Sequence, residues 1–198
     1  MNPLEDAIVA LRPIVPTNHL PFFKVPNSVR LLDPTQPQGG TMNFTNINPL
    51  GNPVTVTNEP TNFGWEYVDH CHLLGHEEND MMRPMCLAYP PEAPSSLTAT
   101  VIGGGIRLNW INNALNATSL TIQRSTSSAF NANLVTFTPS LPTATTYTDG
   151  TALIGQTYYY QVIASNTVGV IMATGLPVTG YPSMTANSAP SNPVNAQR

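Results

Sequence analysis

Charge is what this sequence has least of. Only 9% of its 198 residues are Asp, Glu, Lys or Arg, against about 25% in an ordinary soluble domain. Seven Lys and Arg against eleven Asp and Glu leave a net charge of -4. No basic patch for nucleic acid or an anionic membrane can be assembled from so few cations. Long apolar runs are missing too, and none approaches the roughly 20 residues that a membrane span needs. Met1-Asn2-Pro3-Leu4-Glu5-Asp6 lacks the basic segment and apolar core of a signal peptide. Cysteine is limited to Cys71 and Cys86, enough for one disulfide and no disulfide framework.

Polarity comes instead from Thr, Ser, Asn and Gln. Together with 20 Pro and 13 Gly, that favours short strands joined by turns over long solvated helices. Apolar residues make up 41%, a normal globular share, and the length suits one medium domain or two small ones. The composition is typical of secreted β proteins, so a secreted or cell-envelope location is expected.

Three textures follow one another along the chain. Up to about residue 60, short apolar runs such as Ala7–Leu11, Ser28–Leu32 and Val54–Val56 alternate with proline-rich loops and read as strands. Residues 61–89 hold His70, His72 and His76, both cysteines, and Met81, Met82 and Met85. Residues 89–94, with three prolines, read as an extended linker. Beyond it, Ile106–Trp110, Leu120–Arg124 and Tyr158–Ala164 alternate apolar and polar side chains, the period of strands with one buried face. No internal repeat is present.

The chemistry concentrates in Gly64–Met82. If residues 64–72 are extended, His70 and His72 share one face and Cys71 points to the other, so one peptide can serve two sites. A turn after Leu74, eased by Gly75, would carry His76 and Met81 back beside Cys71. Thiolate, imidazole and thioether form a soft set suited to a blue copper site with a long axial Met. Such a site takes two histidines, and only His76 is available on the Cys71 side. If Cys71 ligates metal it is a thiolate, which leaves Cys86 a lone thiol expected to be buried. Zinc suits Cys and His as well, but His-Cys-His in an extended strand cannot converge on one tetrahedral ion. The helical His-Glu-x-x-His pattern is absent. Read individually, each His or Met is an ordinary polar or core residue; together, at these offsets, they read as ligands.

His-Cys-His-x-x-x-His-x-x-x-x-Met resembles the last copper motif of multicopper oxidases, in the style of bacterial spore-coat laccases and bilirubin oxidases. Ala10-Leu11-Arg12-Pro13, Leu32-Asp33-Pro34-Thr35 and Glu77–Met85 fit that subgroup. The resemblance covers roughly residues 1–88. It implies the C-terminal part of a cupredoxin Greek-key sandwich, with Cys71, His76 and the weak axial Met81 at a type 1 copper. It implies that His70 and His72 each ligate a type 3 copper, whereas Met82 and Met85 are not ligands. A small reducing substrate would give electrons at type 1, and O2 would be reduced to water at the trinuclear centre. Asp69 departs from the pattern, where relatives often carry an aromatic residue; it either alters the type 1 surroundings or sits at a strand edge. The family's His-Pro-x-His-x-His segment has no counterpart between Met1 and Asp69, and His19, without a neighbouring histidine, reads as a loop residue. Met1 is therefore expected to be an internal methionine, with upstream cupredoxin domains of the same protein as missing partners.

Pro91–Ala99 followed by Leu108-Asn109-Trp110 is similar to the opening of fibronectin type III domains. Tyr158-x-Tyr160-x-Val162-x-Ala164-x-Asn166 resembles their sixth strand, with Tyr158 as a tyrosine-corner candidate. Ser188–Val194 resembles the approach to their last strand, although the connection through Gly180–Ser183 is long for that fold. Trp110 is expected in the core, and no Arg-Gly-Asp triplet occurs. The expectation is an all-β chain: a partial cupredoxin-like sandwich over 1–88, a linker over 89–94, and a fibronectin type III (immunoglobulin-like) sandwich over 95–198. Three functions compete: an oxidase fragment inactive alone, a small copper-binding electron-transfer protein, and a fibronectin-like binding module with a relic copper segment.

Overall fold

A computed structural model describes residues 25–41, 48, 50–79, 81–178 and 181–198. His19 and the Ala7–Pro13 stretch lie outside the described residues.

The alternating segments form the expected strands. β4 (Ser95–Ile102), β5 (Gly105–Ile111) and β8 (Thr146–Asp149) make a three-stranded sheet in the order β4-β5-β8. β6 (Ser119–Ser125), β7 (Val135–Phe137), β9 (Thr157–Val168), β11 (Met184–Asn187) and β12 (Val194–Gln197) make a second. Every described pairing within both sheets is antiparallel. Between the sheets lie Leu97, Ile106, Leu108, Trp110, Leu120, Ile122, Tyr158, Tyr160, Val162 and Ala164. Trp110 is a core residue, as expected. Each fully buried aliphatic side chain contributes about 1.5–3 kcal/mol over an exposed one, so this layer dominates the described packing.

The last strand of the second sheet comes in two pieces, because Pro190 and Pro193 cannot donate to a ladder. Ser188 and Ser191 fill the gap. The Ser188 amide donates to the Ala164 oxygen, and its hydroxyl accepts from the Ala164 amide. Ser191 makes the same pair of bonds with Val162. The Tyr158 hydroxyl accepts the amide of Leu153, five residues upstream, at 3.5 Å, the reach of a tyrosine corner.

A further sheet joins segments that precede the sandwich to the connection that follows β9. β1 (Ser28–Arg30) and β10 (Val170–Ile171) flank β2 (Thr61–His70), and β3 (Met82–Leu87) pairs with β2 as well. β10 follows β9 directly after Gly169 and meets Asn62 and Thr61 in register. The long connection after β9 therefore contains the strand that holds β2. Buried Val56 and Val178, with Leu32, Val54, Ile171 and Tyr181 packed on them, form a second, smaller cluster. Val54–Val56 is not a strand, contrary to its apolar reading. Its neighbour Asn58 instead ties the preceding loop together, donating to the oxygens of Asp33, Gln36 and Pro37.

Residues 89–94 carry no regular structure, yet they are held. Tyr89 stacks on Trp65 with centroids 4.2 Å apart and planes 5° from parallel. Its carbonyl accepts from the Asn116 and Asn166 side chains, and Pro91 and Pro94 are buried. Asn166 also exchanges hydrogen bonds with Asn27, and Asn62 donates to the Thr167 oxygen at 2.7 Å. This asparagine seam fixes the base of β2 on the sandwich. The far end of β2 projects from it.

Candidate metal centre

β2 and β3 form a hairpin whose register runs from Trp65–Leu87 at the base to His70–Met82 at the tip. The tip holds a single helical turn, α1 (Leu74–Glu77). The expected strand over 64–72 ends earlier, at His70. The chain turns through Cys71–Leu73, where the Leu73 oxygen accepts the His76 and Glu77 amides. Gly75 lies inside α1 with a helical rather than left-handed backbone, so the reversal does not depend on its conformational freedom.

That turn sorts the candidate ligands into two groups. Cys71 Sγ lies 3.0 Å from His76 Nδ1. His70 and His72 instead approach Glu77, with Nδ1 atoms 3.6 and 3.2 Å from Glu77 Oε1. Their rings meet edge to face with centroids 4.6 Å apart. Glu77 was not among the residues singled out by motif spacing. The clue was its place one residue after His76, where a helical turn carries it back over residues 70–72.

Met81 follows α1, its amide donating to the His76 oxygen at 3.1 Å. Its side chain is 57% exposed, as are those of Leu73 (59%) and Leu74 (69%). Asp69 is exposed near the end of β2, opposite Arg83 in register, the strand-edge position expected as one of its two readings. Both cysteines are free. Cys86, expected to be buried, is exposed, paired with Glu66 near the base of the hairpin. Its sulfur is nonetheless partly shielded: burial pushes the thiol pKa up, and the Glu66 charge opposite adds to the shift. Glu66 is anchored by Arg30 of β1 at 2.7 Å and by the Ser28 hydroxyl. The Arg30 hydrogen bond holds its carboxyl below the usual carboxylate range.

The donor set gives a direct test of the copper expectation. Ligand atoms about 2.0–2.3 Å from one ion stand roughly 3–4 Å from each other, and Cys71 Sγ and His76 Nδ1 already meet that spacing. They supply two strong donors, a thiolate and an imidazole, while Met81 meets His76 through its backbone amide. The second imidazole of a blue site is not beside them among the described residues. His70 and His72 are directed to Glu77 rather than to further histidines. The residues thus fit a type 1 copper in part, and they fit a trinuclear cluster only as two of its ligands.

The described chain is an all-β protein: a two-sheet antiparallel sandwich bearing an exposed hairpin with cysteine, histidine and glutamate side chains gathered at its tip. No protein-family model matches the chain, and no curated protein matches it. Among solved structures, it is similar to an Fn3-like protein from Clostridium thermocellum, with 28% identity and a TM-score of 0.37 over 55% of this chain and 94% of that one. It is also similar to a set of titin domains, with 14% identity and a TM-score of 0.35 over 59% of this chain and 36% of that one. The sandwich assignment rests on the strand pairing itself.

Proposed function

We propose that this chain is the copper-binding C-terminal portion of a multicopper oxidase. Cys71 and His76 would hold a type 1 copper with Met81 as a further weak donor, and His70 and His72 would serve type 3 coppers together with histidines from further cupredoxin domains of the parent enzyme. The observation that carries the reading is the 3.0 Å approach of Cys71 Sγ to His76 Nδ1, while both flanking histidines turn to a different partner. One short peptide thus directs its side chains to two different environments, which a His-Cys-His motif serving two metal sites requires. Copper bound there would supply one-electron chemistry toward a small reducing substrate, with O2 as the electron acceptor of the parent enzyme. Cys71 is the covalent bridge between the two environments, because His70 and His72 are its direct neighbours. Leu73 and Leu74 are exposed beside these residues, where further domains of the parent enzyme would cover them.

Copper titration of the full chain tests this. An intense thiolate-to-Cu(II) charge-transfer band is expected, abolished in C71S and H76A and retained in the H70A/H72A double variant. No catalytic O2 consumption is expected, since too few histidines are present. Absence of the band, or its survival in C71S, overturns the proposal. A second reading, a fibronectin-like binding module with a relic copper segment, is favoured by one observation: the large core belongs to the sandwich, and Cys71, His72 and His76 are exposed. That reading predicts no tight copper binding.

A further inference from the structure

The geometry points to a second, mononuclear cation site in this chain, formed by His70, His72 and Glu77 and taking a borderline divalent first-row ion of the zinc class. It does not depend on the thiolate copper site, because neither Cys71 nor His76 takes part, and it uses, in this chain alone, the two histidines that the copper reading gives to a trinuclear centre.

The site exists because β2 stops at His70. An extended peptide would carry the two imidazoles along one face with no third donor. The turn at Cys71–Leu73 and the single turn of α1 instead return Glu77 to them. One ligand atom from each of the three residues lies within 4.8 Å of the others. The two contacts to Glu77 Oε1, 3.2 and 3.6 Å, are already those of ligands that share one ion at roughly 2.0–2.2 Å. Closing the rest needs only rotation of the His72 ring, whose side chain is 87% exposed. His70 Nδ1 also lies 3.3 Å from the Cys71 backbone oxygen. The ion would replace that contact, since a ligating Nδ1 presents its lone pair rather than a proton.

The donor chemistry selects the ion. Two neutral imidazoles and one carboxylate suit zinc, cobalt, nickel or ferrous iron. They do not suit calcium or magnesium, which take oxygen ligands. Three protein donors on an exposed tip leave coordination positions open to water or to a small anionic ligand.

The experiment uses the full chain carrying C71S, which removes the thiolate site, titrated with cobalt(II) alone and followed by absorption and calorimetry. One equivalent is expected to bind, giving weak ligand-field bands with no sulfur charge transfer. Adding E77Q or H72A is expected to weaken binding at least about ten-fold, and zinc should displace the cobalt. Both added changes lie at the tip, away from the buried core, and an unchanged near-UV circular dichroism spectrum checks the fold. If E77Q binds cobalt as tightly as its C71S parent, Glu77 is only an ion-pair partner and the site is overturned. Binding that requires Cys71 overturns it too. The copper reading fails separately, through the charge-transfer band of the wild-type chain.

Discussion

Asp149 has no exposed surface, yet it carries a charge that four donors meet. Arg124 Nη1 and the Tyr160 hydroxyl reach Oδ2 at 2.7 and 2.8 Å. The Thr151 amide and hydroxyl reach Oδ1 at 2.9 and 2.7 Å. Arg124 is itself sandwiched, its guanidinium 4.5 Å from the Tyr158 ring centroid and 5.3 Å from that of Phe137. Burial alone would raise the Asp149 pKa, but the hydrogen bonds from Thr151, Arg124 and Tyr160 together outweigh it and pull the value below 3.8. A carboxyl depressed in the folded state stabilises fully above its unfolded pKa, and that contribution is lost as pH falls through the folded value. Urea unfolding should therefore show stability declining below about pH 4, with that part of the slope absent in D149N. At neutral pH, D149N should cost about 3 kcal/mol, since it leaves Arg124 buried without its counter-charge. A loss under about 1 kcal/mol would mean that the pair is solvated in solution.

At the scale of single elements, the β2–β3 hairpin is aimed by Gly64. This residue has φ +64°, and a Cβ there would strike the Leu87 oxygen on β3 and Cγ2 of Val168 on β9. No other residue allows β2 to lie this close to both neighbours. G64A should destabilise by about 2 kcal/mol or more and also weaken the proposed copper binding, because the tip is positioned from this base. G75A is the matched control: a Cβ at Gly75 would meet nothing within 4 Å, so a change of at most about 1 kcal/mol is expected. Thermal melts of the two variants make the comparison. The same hairpin shows what sequence reading reaches. Alternation in β5, β6 and β9 was legible because each has one buried face with a regular burial period. The candidate ligands stand out because Cys71, His76, His70 and His72 are rare residues at fixed offsets. Glu77 was not, since an acidic residue beside a histidine has no period and its role depends on where β2 ends. β10 was equally hidden: two residues carry no pattern, and only pairing with Asn62 and Thr61 makes them a strand. Val56 looked like strand and is buried by loop packing instead, because a short apolar run does not say which neighbours cover it.

The whole molecule is stitched rather than beaded. The division at residues 89–94 separates two textures of sequence, yet the small cluster around Val56 takes Ile171, Val178 and Tyr181 from beyond it. The base of β2 likewise takes its edge strand, β10, from there. A chain ending at residue 94 would lose those partners and leave both Asn62 and the second edge of β2 without their bonds. We expect a fragment of residues 1–94 to show no cooperative urea transition, and a fragment of residues 89–198 to keep one, because its large core is self-contained. In the full chain, N62A removes the side chain that both donates to the Thr167 oxygen and accepts the Gly64 amide. Leaving those two backbone groups unpaired should cost about 1–3 kcal/mol. The decisive readout is where that loss appears. If the two parts unfold as one unit, tryptophan fluorescence, which reports both Trp65 and Trp110, gives one transition shifted as a whole. If they unfold independently, N62A lowers only the phase that carries Trp65, and the hairpin melts while the sandwich around Trp110 stays folded. The shared strand and the asparagine seam predict the first outcome. A biphasic curve in the wild-type chain would show instead that the seam is too weak to couple them.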